Sequence, residues 1–260
     1  VNEIYNKTYN VGEINITTLE QAITEISENS GHAVVGISKY KKTIFGQDSL
    51  EYTGSGVVYD CKAVMKDGSI VSNCETTIDS NQVLKYEYLV ITNRHVIEEK
   101  EKNVRLEGLI LKIYLGDENE EIGAELIDYH RVVDLAVLKF SHSSYIQPLR
   151  FGDSDKLKIG NFVIAIGNPA GHEYYGTTTF GIVSGPKRFI SDVPYIQHDA
   201  AINSGNSGGA LVNLNGELIG INTLKLTTSD IDNIYENMGF AIPANLVWEI
   251  VRVLDGSSKD

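Results

Sequence analysis

Three short segments of this chain carry residue types that can do chemistry together. Thr92-Asn93-Arg94-His95-Val96 closes an apolar stretch, and Val133-Asp134-Leu135-Ala136-Val137-Leu138 sets an acid at the start of another. Asn203-Ser204-Gly205-Asn206-Ser207-Gly208-Gly209-Ala210 is a loop framed by glycines. A hydroxyl is a poor nucleophile at neutral pH and needs an adjacent base to take its proton. An imidazole doing that work needs a carboxylate to set its tautomer and to stabilise the imidazolium. His95, Asp134 and Ser207 supply one of each, in that order, with gaps of 39 and 73 residues. The glycines suit the same chemistry. An oxyanion is held by backbone N–H groups that a tight turn points inward, a role that falls to Gly205 and Ser207. Gly205 tolerates the backbone angles of such a turn, while Gly208 and Gly209 let the chain leave without crowding the nucleophile.

Each piece has an ordinary reading by itself. A lone histidine is usually structural, and an aspartate before an apolar strand is usually a cap. A Gly-Asn-Ser-Gly-Gly run is more often a loop than a site. Their joint occurrence, each beside a strand and in working order, points to acyl transfer. The remaining histidines, His32, His130, His142, His172 and His198, are scattered. His198 is near the serine loop and reads as a loop histidine. The acidic run Asp117-Glu118-Asn119-Glu120-Glu121 reads as a solvated hairpin turn rather than a calcium site. No metal centre is expected.

The elements that must position these residues are mostly strands. Runs at 33–38, 54–59, 88–92, 109–115, 135–140, 162–166, 181–184, 209–213, 217–222 and 239–242 are short and rich in Val and Ile. Turn residues bound them. Many short strands at regular spacing predict a sandwich or barrel. Thr18 and Gln21 form a capping-box pattern ahead of Leu19, Ala22, Ile23 and Ile26, which predicts a helix over about 18–29. Pro243 suits the first turn of a second helix, with an apolar stripe from Leu246 to Leu254 and Gly256 as its cap.

Composition narrows the class. The chain has 260 residues and 42% of them are apolar, enough for a substantial core. Its longest apolar run, Phe162 to Ile166, is far too short to span a bilayer. A net charge of −13, from 22 Lys+Arg against 35 Asp+Glu, disfavours a general nucleic-acid binder. The first residue is Val1, which suggests a processed or trimmed chain. Cys61 and Cys74 fit no metal-site spacing. They can bridge the hairpin centred on Lys66-Asp67-Gly68-Ser69, implying an oxidising compartment, or stay as two thiols.

From Thr53-Gly54-Ser55-Gly56-Val57-Val58 onward the chain resembles the HtrA/DegP family of serine proteases. The resemblance rests on the three segments above and on Gly152-Asp153-Ser154-Asp155, Ala165-Ile166-Gly167-Asn168-Pro169 and Asp199-Ala200-Ala201-Ile202-Asn203. Gly216 to Thr223 and Gly239-Phe240-Ala241-Ile242-Pro243 complete it. It implies an all-β fold, a double six-stranded β-barrel of chymotrypsin type with a short helix at each end. The expected division is 1–32 for an arm and helix, 33–148 for the first barrel and 149–242 for the second. Residues 243–260 form the last helix and tail. Segment 60–87 stands as an insertion where the family has a short hairpin. His95 and Asp134 would come from the first barrel and Ser207 from the second.

The resemblance further implies an ATP-independent endopeptidase without cofactor, often trimeric, acting on misfolded or exposed polypeptides outside the cytoplasm. Such proteases usually carry a PDZ domain after the protease. This chain stops six residues beyond the helix end near Leu254, so it is read either as a chain cut before that domain or as a stand-alone protease domain. Ile202 would wall the P1 pocket, with Asn222, Thr223 and Leu224 on the substrate-pairing strand. Ala201 stands where trypsin-like enzymes hold their acid, which disfavours a P1 Lys or Arg. Asn222 stands where glutamyl endopeptidases, the alternative reading, hold a histidine. A small or medium aliphatic P1 is therefore expected. A chaperone or binding module on the same fold is the alternative from another class. Loops 185–195, 203–205 and 225–237 are expected to control activity by their order.

Overall fold

The computed structural model describes residues 16–42, 48–72, 74, 79–98, 109–116, 121–168, 171–223 and 238–257. Six strands form one ring: β1 (Val34–Lys42), β2 (Asp48–Met65), β4 (Val83–Thr92), β5 (Leu109–Tyr114), β6 (Ile122–His130) and β7 (Leu135–His142). Their order is β1-β5-β6-β7-β4-β2, and antiparallel pairing of β1 with β2 closes it. The short strand β3 (Ile70–Ser72) hangs on the far end of β2, outside the ring.

A second closed barrel has the order β10-β13-β12-β11-β8-β9. It is built from β8 (Phe162–Gly167), β9 (Thr177–Ile190), β10 (Val193–His198), β11 (Ala210–Val212), β12 (Leu218–Thr223) and β13 (Gly239–Pro243). Closure leaves no row of unpaired N–H and C=O groups at an edge. The expected all-β double barrel is therefore the observed architecture.

β2 explains why the first ring can close and still carry an extension. It is 18 residues long, and its register against β4 slips between Val58 and Asp60 and again between Val64 and Met65. Such irregularities bend a strand and raise its twist. The first half of β2 pairs with β1, and its last turn pairs with β3. Lys66 to Ser69 form the predicted turn, with Gly68 at φ +87° and the Asp67 carboxylate accepting the Ser69 N–H at 2.9 Å. Cys61 on β2 and Cys74 beyond β3 are joined in a disulfide, and both are buried.

Three strands escaped the sequence reading, each for a local reason. β3 has only three residues, all exposed. In β6 most residues face solvent at least in part, so its apolar signal is diluted. β10 carries Pro194, which reads as a breaker. The 185–195 segment, expected as a loop, is instead the paired end of β9 and β10. Its turn is Ser191-Asp192, with φ of 49° and 64°, the left-handed pair that matches hairpin twist.

The helices sit at the two ends, as expected, with shifted bounds. α1 spans Ile16–Gly31, a one-turn α2 spans Arg94–Ile97, and α3 spans Ala244–Leu254. Pro243 precedes α3 in extended conformation rather than filling its first turn, and Gly256, at φ +79°, follows the capping Asp255. Val247 and Val251 bury one face of α3. The main apolar cluster runs through the first barrel and across to α3, while Val163, Val183, Ile196, Leu211 and Ile219 fill a smaller one in the second barrel.

The disulfide closes a loop with a sequence separation of 13. A cross-link of that span stabilises by about 3 kcal/mol through the unfolded chain. Replacing both cysteines by serine is expected to lower the thermal midpoint by several degrees. Adding a reductant should do the same to the wild type and nothing to the variant. Calorimetry with and without reductant checks both.

Candidate active site

Antiparallel pairing of β4 with β7 matches Thr92 to Ala136, which sets the residues after β4 beside those before β7. The chain leaves β4 through Asn93 and turns at once into α2, carrying His95 over Asp134. The Asp134 carboxylate holds His95 twice. Oδ1 accepts the His95 backbone N–H at 2.9 Å, and Oδ2 lies 2.5 Å from Nδ1. The turn itself is stitched: Asn93 Nδ2 donates to the Asp134 C=O at 2.8 Å, and the Arg94 guanidinium donates to the Arg131 C=O at 2.5 Å. Lys39, almost fully buried on β1, donates to the Glu98 C=O at 2.8 Å, at the far end of α2.

Burial pulls the Asp134 pKa upward, but the hydrogen bonds from His95 and the charge of Arg94 outweigh it. The carboxyl stays below its ordinary value. An ionised carboxylate only accepts, so the proton between the two side chains belongs on Nδ1. Nε2 is then left with its lone pair, the atom that could take a proton from a hydroxyl. Thr223 Oγ1 approaches Asp134 Oδ2 at 3.4 Å and ties the pair to the second barrel.

Ser207 is buried, in a loop whose peptides are pinned one after another. The Gly205 C=O accepts the Ser55 hydroxyl at 2.6 Å, and the Asn206 N–H donates to the Asn203 C=O at 3.0 Å. The Asn206 C=O accepts from Gly209 N–H at 2.9 Å. In a trans peptide the N–H points opposite the C=O, so that bond also aims the Ser207 N–H. The Ser207 C=O accepts from Ser55 N–H, and Gly208 N–H donates to the Asn222 C=O, both at 2.9 Å. Gly205 stands at φ +100° and Gly208 at φ +84°. A Cβ on Gly208 would lie 2.1 Å from the Ser55 C=O and 2.4 Å from Thr92 Oγ1.

Those contacts place the serine loop against the residues that precede His95. Gly54 makes the same link from the other side: a Cβ there would meet Val96 at 2.7 Å and the Ser207 C=O at 3.4 Å. The structure thus gathers the three segments around the Gly54-Ser55 stretch of β2.

The residues expected to bind substrate are spread as follows. Ile202 is half-buried and packs on the second-barrel cluster. Asn222 and Thr223 are buried on β12. Leu224 and the 225–237 loop lie outside the described residues, as do residues 117–120 of the acidic run. Glu121, the last of that run, accepts the Tyr40 hydroxyl at 2.6 Å and pairs with Lys112 at 3.5 Å, so it is not simply solvated. His198 is not a loop residue: it ends β10 and is fully buried. Burial pushes it down to about 4, against the pull of Asp199, Asn222 and the Ala200 backbone, so its ring is neutral at pH 7.

Concavities of about 590 and 1020 Å³ flank the 145–150 connector on another face, and neither is lined by His95, Asp134 or Ser207. Among the described residues no cluster of acids, histidines or cysteines could hold a metal.

Sequence reasoning missed Ser55, Thr92 and Asn168 as parts of the frame. Thr92 Oγ1 donates to the Ser55 C=O at 2.7 Å, and Asn168 N–H donates to Ser55 Oγ at 2.8 Å. No spacing rule connects residues 113 positions apart. Ser55→Ala would strand the buried Gly205 C=O and Asn168 N–H, each costing about 1–3 kcal/mol. Thermal unfolding should show that loss, whereas Ser55→Thr, which keeps the hydroxyl, should show less.

Comparison with known proteins bears on the family of the chain. The family model described as trypsin-like peptidase domain matches residues 54–221. Serine protease Do-like HtrB of Bacillus subtilis is 36% identical over 245 residues, covering 91% of this chain and 48% of that protein. Serine protease Do-like HtrA of Lactococcus lactis subsp. cremoris is 34% identical over 278 residues, covering 99% and 62%. Periplasmic pH-dependent serine endoprotease DegQ of Escherichia coli is 41% identical over 169 residues, covering 64% and 34%. The chain thus spans from about a third to about three fifths of the length of these relatives. With two closed barrels, a matching family model and relatives named as Do-like proteases, the chain belongs to the trypsin-like peptidase family and is of the HtrA type.

Proposed function

We propose that this chain is a serine endopeptidase in which His95, Asp134 and Ser207 act as base, orienting acid and nucleophile. The observation that carries the reading is the double hold of Asp134 on His95, with the Ser207 loop seated against the same stretch of β2. Ser207 Oγ adds to the carbonyl carbon of the scissile bond while its proton passes to His95 Nε2. The oxyanion forms between the N–H groups of Gly205 and Ser207. Collapse breaks the C–N bond, and His95 returns the proton to the departing amine. Water then repeats the sequence on the acyl-enzyme, restoring Ser207 and releasing the acid.

The substrates we assign are misfolded or exposed polypeptide segments with a small or medium aliphatic P1. Ala201 and Asn222 offer no charge for a basic or acidic side chain. The relatives named as periplasmic and the Cys61–Cys74 bridge support an extracytoplasmic setting. A homotrimer is the assembly we assign from the family resemblance. No helix among the described residues is long and apolar enough to cross a membrane.

A fluorophosphonate probe is expected to label Ser207, with labelling abolished by Ser207→Ala; unlabelled wild type would count against the reading. Asp134→Asn keeps the hydrogen-bond geometry but stabilises the wrong tautomer, so kcat should fall by about 10⁴ with an intact thermal midpoint. Sequencing the cleavage products of a denatured protein tests P1: mostly Val, Ala or Leu is expected, and a majority of Glu, Lys or Arg would overturn that preference.

A further inference from the structure

The concavity of about 590 Å³ beside the 145–150 connector has a lining that the proposed reaction does not use. Its size is that of a cavity that holds a side chain or a small ligand. Consecutive strand residues ordinarily face opposite ways. The register slip in β2 between Val58 and Asp60 breaks that alternation, and Tyr59, Asp60 and Cys61 all line this one cavity. Three rings make a continuous wall. Tyr59 meets Phe151 edge-on with centroids 6.4 Å apart, and Phe151 meets Trp248 of α3 at 5.0 Å. The Tyr59 hydroxyl donates to Asp255 at 2.8 Å, which fixes that ring in place. Trp248 keeps 44% of its surface exposed, so the wall is open to what enters.

Asp60 sets a half-buried carboxyl into this aromatic wall. Burial pushes its pKa up, the Cys61 N–H and the charge of Lys62 pull against that, and Asp255 adds to the rise. A net rise means that the charged form lacks full compensation. Glu249 brings a second acid to the lining, and Arg150 brings a base. Among the described residues none of these three takes part in a salt bridge. The lining is thus acidic by one charge, and its carboxylates are open to a cation. The rings favour the same sign, because the face of an aromatic ring attracts a cation, Trp most strongly. Arg252, outside the lining, already lies over the Trp248 ring at 5.6 Å from its centroid.

We propose that this cavity is a second binding site, separate from the triad, which holds a lysine or arginine side chain of a polypeptide against Asp60 and Trp248. That the occupant is a polypeptide rests on the protease reading; its charge rests on the cavity alone. The aliphatic stem of such a side chain packs along Tyr59 and Phe151 while its charged head meets Asp60. Ala201 offers a basic residue no partner at P1, and this site gives it a place on the enzyme away from the cleaved position.

Trp248 is the one tryptophan of the chain, so its emission reports on this wall. The Ser207→Ala chain, which cannot cut, is titrated with acetylated pentapeptides that carry Lys, norleucine or Glu between glycines, and with n-butylammonium. The Lys peptide is expected to shift the emission saturably and to bind about tenfold more tightly than the norleucine peptide, which has the same stem without the charge. Adding Asp60→Asn should weaken the Lys peptide by about fivefold and leave the norleucine peptide unchanged. Equal binding of the Lys and norleucine peptides overturns the charge assignment. Tighter binding of the Glu peptide overturns it too and makes Arg150 the recognising group. An unchanged Lys affinity in a folded Asp60→Asn chain overturns Asp60 as the receiving acid. A response to n-butylammonium with none to the Lys peptide overturns a polypeptide as the occupant, and no response to any probe overturns the site. If Asp60→Asn does not fold, the order of the peptides on the Ser207→Ala chain decides. Fluorophosphonate labelling of the wild type tests the protease reading separately: labelling without Lys-peptide binding removes only this site, and Lys-peptide binding without labelling removes only that reading.

Discussion

The structure turns on one residue that does no chemistry of its own. Ser55, buried in β2, uses its backbone N–H on Ser207, its hydroxyl on Gly205 and Asn168, and its C=O on Thr92. Those partners come from both barrels and from the serine loop between β10 and β11. A buried polar group must be paired or it costs the fold, so each of these bonds is also a distance constraint. Gly208 shows how tight it is, since even a methyl group there would collide with the Ser55 C=O. The left-handed glycines of the loop follow from that approach, and the approach follows from where β2 runs.

The acid and the histidine depend on the same strand indirectly. β2 pairs with β4, β4 pairs with β7, and the ends of β4 and β7 carry His95 and Asp134. Asp134 is largely withdrawn from water, yet its carboxyl is held below the ordinary range because His95 bonds it twice and Arg94 lies near. The ionised acid then sets the imidazole tautomer. Electrostatics here is a consequence of strand register. A slip of one residue between β4 and β7 would send these side chains to opposite faces.

Much of this was legible from residues in order. Ten strand segments, the hairpin at Lys66 to Ser69 and both end helices announce themselves through period, turn chemistry and caps. What stayed hidden was weak or contradictory locally: the exposed β6, the proline in β10, and the 185–195 hairpin that reads as a loop. His198 was misjudged for the same reason. A histidine beside a glycine-rich loop reads as a loop residue until Gly239 and Asn222, from strands far along the chain, are seen to enclose it.

The sequence by itself determined the chemistry on offer: a histidine, an acid and a serine in working order, glycines where a turn needs them, and a β-rich chain to carry them. These follow from local rules, because residue type, spacing and turn preference act within a few positions. The tertiary structure alone decided which atoms meet. Barrel closure joins Ser55 to Asn168 across 113 residues and Thr223 to Asp134 across 89. It also buries His198 against Gly239. Such contacts depend on strand register and closure, which no local pattern encodes.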